Sequence, residues 1–180
     1  LMFTPEDVEL RSALSTAYFN SEDYDEALNH ALCVIELDEK DPQAYCNLGS
    51  CYSAQNMVDE AIKAFQKASE IDPDYSLPHT NLGSLYATIG RIEKAIKEFK
   101  IATNMNQSDA LAWMNLNSLY KEIGRMDDAQ EAYKKYENLM NQESQTSDHS
   151  NIPGGVSSSG DLASGGDLDT ASPGMEELTS

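Results

Sequence analysis

The sequence predicts an all-α solenoid of four helix-turn-helix repeats, about eight helices, followed by a disordered acidic tail. Three observations predict it. The segment Tyr45 to Tyr52 (Tyr-Cys-Asn-Leu-Gly-Ser-Cys-Tyr) returns as His79 to Tyr86 and as Trp113 to Tyr120, 34 residues on each time. In the same register stand Leu14, Leu48, Leu82 and Leu116, then Tyr18, Tyr52, Tyr86 and Tyr120, then Ala27, Ala61, Ala95 and Ala129. Within a unit, apolar residues recur three and four apart, as in Leu48, Cys51 and Tyr52 and then Ala61, Ile62, Phe65 and Ala68, which is the spacing of one helix face.

The units fall at 8–41, 42–75, 76–109 and 110–143, the last with a frayed end, after a lead-in over 1–7. Asp41-Pro42 reads as an N-cap followed by proline at the first helical position. Gly90 and Gly124 end the first helices of their units, where a left-handed residue is wanted, and Asn56 takes that place in the second unit. Gly49 and Gly83 fall inside helices, at about 1 kcal/mol each against alanine, so they predict close helix–helix approach. Acidic pairs open the second helices at Asp25-Glu26, Asp59-Glu60 and Asp127-Asp128, where they complement the helix dipole. Asp38, Asp72, Asp74 and Asp109 are further cap candidates. The last helix is expected over about Met126 to Met140.

Charge narrows the function. The chain has 180 residues, 12 basic and 31 acidic, for a net −19. Residues 1–75 carry −12, residues 76–141 are neutral and 142–180 carry −7. That balance argues against nucleic acid, whose binders concentrate Lys and Arg on one face, and against direct membrane binding. No apolar run approaches a membrane span of roughly 20 residues. Cys33, Cys46 and Cys51 are odd in number and lack Cys-x-x-Cys spacing, so neither a disulfide framework nor a zinc site is expected. Leu1-Met2-Phe3 is too short for a signal-peptide core. A cytoplasmic protein is expected, with the nucleus as the other compartment. The tail from 142 to 180 has six glycines, twelve Ser/Thr and only eight apolar residues. It cannot bury enough apolar surface to offset an ordering entropy of roughly 1–2 kcal/mol per residue.

These motifs resemble the tetratricopeptide repeat (TPR) family. Unit two matches the family pattern at Tyr45, Leu48, Gly49, Tyr52, Ala61, Phe65, Ala68 and Pro73. Unit three has His79 and Gln107 in the Trp and Pro slots, unit four has Asn117 for Gly, and unit one has Arg11, Ser15 and Ala31 for Trp, Gly and Phe. The resemblance implies a right-handed solenoid whose first helices line a concave groove. The groove positions are then Ser12, Thr16, Gln43, Cys46, Ser50, Leu77, Thr80, Ser84, Leu111, Met114 and Ser118, small and mostly uncharged. Beside them stand Asn47, Asn81 and Asn115, one per unit. An amide donates and accepts, so each can pair with the main chain of an extended peptide. This ladder is similar to that of the TPR arm of the O-linked N-acetylglucosamine transferase. The same asparagines are common in such repeats and also fit bonds within the scaffold. A clamp for the carboxylate tails of Hsp70 or Hsp90 is argued against. Ser12, Thr16, Leu77 and Asn81 stand at its positions, and none of them is a cation.

The expected function is a non-catalytic scaffold or adaptor holding a neutral to basic peptide segment of a partner protein, with no cofactor and no metal. No phosphate loop or nucleophile motif is present in the sequence. Two alternatives stay open: a targeting arm of a larger enzyme such as a glycosyltransferase, and an assembly subunit that docks or self-associates through its ends. For the latter, Tyr133, Tyr136, Leu139 and Met140 form the end surface of the last helix. Leu1, Met2 and Phe3 either staple over unit one or are the remnant of a preceding element, and the chain, starting at Leu, is expected to be a fragment or a processed form. In the tail, Ser158 and Ser164 have an acid three residues on and Ser172 precedes Pro173, so the three are candidate phosphorylation sites.

Overall fold

The computed structural model describes the backbone over residues 5–148 and side chains over 7–142. The expected tail from 149 onward, with Ser158, Ser164 and Ser172, and the lead-in residues 1–4 lie outside the described residues. Eight helices follow in order: α1 Pro5–Asn20, α2 Tyr24–Leu37, α3 Pro42–Ala54, α4 Val58–Ile71, α5 Leu77–Thr88, α6 Ile92–Met105, α7 Ala110–Glu122 and α8 Met126–Asp148. They pack as four antiparallel pairs, each pair stacked on the next in an all-α solenoid. Among the described residues no helix is long and apolar enough to cross a membrane.

Each pair turns by the same device. Glu22, Asn56, Gly90 and Gly124 all have positive φ, at 63°, 60°, 72° and 77°. After each of them the next backbone N–H reaches back to the register tyrosine's carbonyl: Asp23 to Tyr18 at 2.9 Å, and Met57 to Tyr52, Arg91 to Tyr86 and Arg125 to Tyr120 at 2.8 Å. This closes the helix end by satisfying carbonyls that have no partner within the helix. Glu22 fills the slot in unit one, at roughly 1–2 kcal/mol of steric strain that glycine avoids.

The mid-helix glycines are explained by contact. A Cβ on Gly49 would lie 2.7 Å from the Phe65 ring, and one on Gly83 would lie 2.8 Å from the Phe99 ring. Both rings are essentially fully buried. The other two units solve the same position differently. Unit one pairs Ser15 with the small Ala31, and the Ser15 hydroxyl donates to the Ala27 carbonyl at 2.8 Å. Unit four has buried Asn117 in the glycine slot, and Tyr133, in the phenylalanine slot, is 45 % exposed.

Two expectations need correction. Helix α8 continues to Asp148, past the boundary expected at Gln142. The composition argument concerned burial, but extending an existing helix adds one hydrogen bond per residue fixed, and no Gly or Pro interrupts the chain before Pro153. The cap assignments also divide. Asp109 and Asp41 are the N-caps of α7 and α3, and Asp38 and Asp72 are the C-caps of α2 and α4, their N–H groups donating to the Val34 and Ala68 carbonyls while their side chains accept from the Lys40 and Asp74 N–H groups. Asp74 is the donor's residue there and caps nothing.

The contact predicts a stability effect. Gly83→Ala should lower unfolding stability by about 1–3 kcal/mol despite alanine's better helix propensity, because the Phe99 ring has no room to give. Urea unfolding followed by circular dichroism measures it. In a Phe99→Leu background the same substitution should be milder, and equal losses in both backgrounds would mean that the ring contact is not the cause.

Candidate binding groove on the first helices

The first helices α1, α3, α5 and α7 present one common face. Between α1 and α3 it holds a hollow of about 450 Å³ lined by Glu9, Ser12, Thr16, Asp41 and Gln43 among others. Between α3 and α5 a second hollow of about 230 Å³ is lined by Ser50, Asn81, Ser84 and Thr88 over Phe19, Phe65 and Leu85. Of the sequence-predicted groove residues, the first hollow gathers Ser12, Thr16 and Gln43 and the second Ser50, Asn81 and Ser84.

Cys46 and Thr80 are buried, at 1 % and 2 % exposure, and do not line the groove. Both bond to the segment that leads into the next first helix. The Thr80 hydroxyl donates to Asp109 Oδ2 at 2.6 Å. The other oxygen of the same carboxylate accepts from the Ala112 N–H and caps α7. One repeat earlier, Tyr75 stands in the Asp109 position. Its hydroxyl donates to Gln43 Oε1 at 2.5 Å and lies against the Cys46 thiol. Burial pushes Cys46 up to about 12 and Cys51 up to about 11. Both thiols therefore stay protonated and inert at neutral pH. Sequence reasoning missed Tyr75; its signal was an aromatic residue at the position where units one and three end in the capping aspartates Asp41 and Asp109.

The asparagines are placed unequally. Asn47 Oδ1 accepts from Gln43 Nε2 at 2.8 Å, while its Nδ2 is covered and has no partner. Asn115 Nδ2 donates to its own helix, to the Leu111 carbonyl at 2.9 Å. Asn81 is half-buried in the second hollow, and its side chain has no hydrogen bond among the described residues. The serine row is uniform. Ser50, Ser84 and Ser118 donate to the carbonyls of Cys46, Thr80 and Met114 at 3.0–3.2 Å. With its proton engaged, each hydroxyl offers the groove lone pairs only. Met114 is 40 % exposed, with Leu77 at 38 % and Leu111 at 51 %.

At the array's end, Tyr133 and Met140 are exposed while Tyr136 and Leu139 are half-buried. The two tyrosine rings meet at 6.3 Å and 45°, and Lys121 Nζ stands 6.0 Å from the Tyr133 ring. In unit three, His79 takes the aromatic slot and its Nδ1 lies 2.8 Å from Glu98 Oε2. Among the described residues no group of His, Cys, Asp and Glu side chains is arranged to hold a metal ion.

The link between repeats predicts its own test. Thr80→Val removes the donor yet keeps the shape, so it should cost about 1–3 kcal/mol, the range for a hydrogen bond to a charged group. Thr16→Val, at an exposed position on α1, should change stability by less than about 0.5 kcal/mol. Thermal unfolding of the two variants side by side decides whether the Asp109 bond or the hydroxyl loss alone matters.

Comparison with known proteins agrees with this geometry. Models of the tetratricopeptide repeat match residues 42–75, 64–97 and 110–139. None of the curated proteins matches the sequence. Among solved structures, that of MamA superposes with a TM-score of 0.68 at 23% identity, covering 78% of this chain and 82% of that one. TTC0263, a thermophilic TPR protein in Thermus thermophilus, gives 0.69 at 20% identity over 81% and 80% of the two chains. The Arabidopsis OM64 TPR domain gives 0.61 at 20% identity over 65% and 97%. At these identities the structural likeness speaks for the fold. The repeat matches, with the eight-helix solenoid, show that the chain carries tetratricopeptide repeats over 42–97 and 110–139, and such repeats support a protein–protein interaction scaffold.

Proposed function

We propose that the protein is a non-catalytic scaffold that holds an extended peptide segment of a partner protein in the groove formed by α1, α3, α5 and α7. The observation that carries this reading is Asn81. It is the groove amide whose side chain is unbonded among the described residues, and it lies in a hollow floored by Phe65 and Leu85. A main chain laid there meets a donor and an acceptor in Asn81 and acceptor lone pairs in Ser50 and Ser84. Peptide N–H groups can use the serines, and both peptide groups can use the amide. The floor accepts a side chain. Asn47 and Asn115 contribute less, since one end of each amide is bonded within the scaffold and the free Nδ2 of Asn47 is covered. The −12 on residues 1–75 supports a neutral to basic partner.

Asn81→Ala should weaken peptide capture by about five- to thirtyfold, the cost of one or two lost hydrogen bonds, with helicity and melting near wild type. Peptides selected from a random displayed library against the full chain provide the probe. Asn115→Ala should cost little. If both substitutions leave capture unchanged, the groove reading fails.

A second reading rests on the exposure of Tyr133 and Met140 at the end of the array, which supports self-association through α8. Light scattering across concentration should then show mass rising with concentration for the parent and a lower mass for Tyr133→Ser. Monomer at every concentration for both would remove this reading.

A further inference from the structure

One row of the groove changes character from end to end. The equivalent positions on α1, α3, α5 and α7 are Glu9, Gln43, Leu77 and Leu111. All four are exposed. Beside Leu111, three residues on and so on the same helix face, stands Met114, also exposed. At the other end Glu9 shares its hollow with Asp41. Glu9 has no ion-pair partner among the described residues. The row thus runs from carboxylate through amide to two leucines, with Met114 beside the second.

We infer that the groove reads its peptide in a fixed register, with a basic side chain at the Glu9 end and two bulky apolar side chains at the Leu77 and Leu111 end. This rests on the groove reading above and adds the partner's chemistry to it. Spacing follows from geometry. Packed helices stand on the order of 10 Å apart, and an extended chain rises about 3.3 Å per residue. Each repeat therefore spans about three peptide residues. Glu9 and Leu77 are two repeats apart, so the first apolar side chain falls about six residues from the basic one, and the second about three further on. The energetic roles differ. Covering an exposed leucine removes apolar surface from water, so the apolar end supplies affinity. A solvent-exposed ion pair adds much less, so Glu9 mainly sets direction and register. Residues 1–75 reinforce it with their excess of acid.

The test uses the full chain and fluorescein-labelled synthetic peptides on a Ser/Thr background, read by anisotropy at low salt. One peptide carries Lys with Leu six and nine residues on; a second has the same spacing in reversed chain direction. Controls replace both leucines by Ser, replace Lys by Glu, or shift the leucines to three and twelve residues from Lys. Expected is binding by at least one direction, weakened tenfold or more without the leucines or with them shifted. Glu for Lys should weaken it by two- to fivefold, and Glu9→Lys should invert that preference. Leu77→Asp with Leu111→Asp should abolish the leucine effect while circular dichroism stays that of the parent. No saturable binding by either direction, equal binding with shifted leucines, or no inversion by Glu9→Lys overturns the register. The groove reading is judged apart, by whether Asn81→Ala weakens peptides selected from the random library.

Discussion

The structure depends on the approach of the two helices within a repeat, set where Gly49 meets Phe65 and Gly83 meets Phe99. Glycine in a helix costs about 1 kcal/mol, and a buried phenylalanine contributes several times that. The exchange favours the ring, provided that no Cβ stands beneath it. The same position in unit one is solved with two small residues, Ser15 and Ala31. In unit four Asn117 occupies the space, and Tyr133 sits 45 % exposed on the outside. Helix-pair geometry is thus held by complementary size across the pair, and the glycine alone does not define it. Because the first helices are spaced by these pairs, the groove's pitch follows from the same contact.

A second constraint decides which groove-side residues reach a ligand. Two joins between successive pairs, those leading into α5 and α7, carry a side-chain bond close to the start of the next first helix. Asp109 supplies it to Thr80, and Tyr75 supplies it to Gln43 and Cys46. That use withdraws Thr80 and Cys46 from the groove. It also turns Gln43 toward Tyr75, and through Gln43 engages Asn47. The segment leading into α5 is therefore tied to α3 by a run of side-chain bonds, which leaves Asn81 and the serine row beside the second hollow. The three asparagines are thereby unequal: Asn47 accepts from Gln43, Asn115 donates to its own helix, and the Asn81 side chain has no hydrogen bond among the described residues.

The fold was legible because its signals repeat. A 34-residue register read four times fixes the helices, the turn residues and the glycine contacts together. Even the departures, such as Asn56 in a glycine slot, became readable by their position. Glu22 was not, since nothing about glutamate favours positive φ and only the register, applied without regard to residue type, points to it. The groove was legible as a set of positions but not as a set of available atoms. Cys46 and Thr80 occupy exposed-looking positions on the helix wheel, and their burial comes from Tyr75 and Asp109, about 30 residues away in sequence. Likewise the end of α8 could not be read from burial arithmetic, because a helix extends by local hydrogen bonding as well as by packing.

These constraints also sort what recognition can depend on. Among the described side chains of the middle groove, Ser50, Asn81, Ser84 and Thr88 carry no charge. Contacts there respond to shape and main-chain geometry, and salt affects them little. Charge enters at the α1 end, where acid is in excess, and apolar surface enters at the α5–α7 end, where the repeats are electrically neutral. A symmetric ligand gains nothing from such an arrangement, because reversing it would leave its binding unchanged. A ligand with a basic end and an apolar end gains in one orientation and loses in the other. Under the proposed groove reading, specificity rests on how residues differ between equivalent positions, while stability rests on how closely the repeats agree.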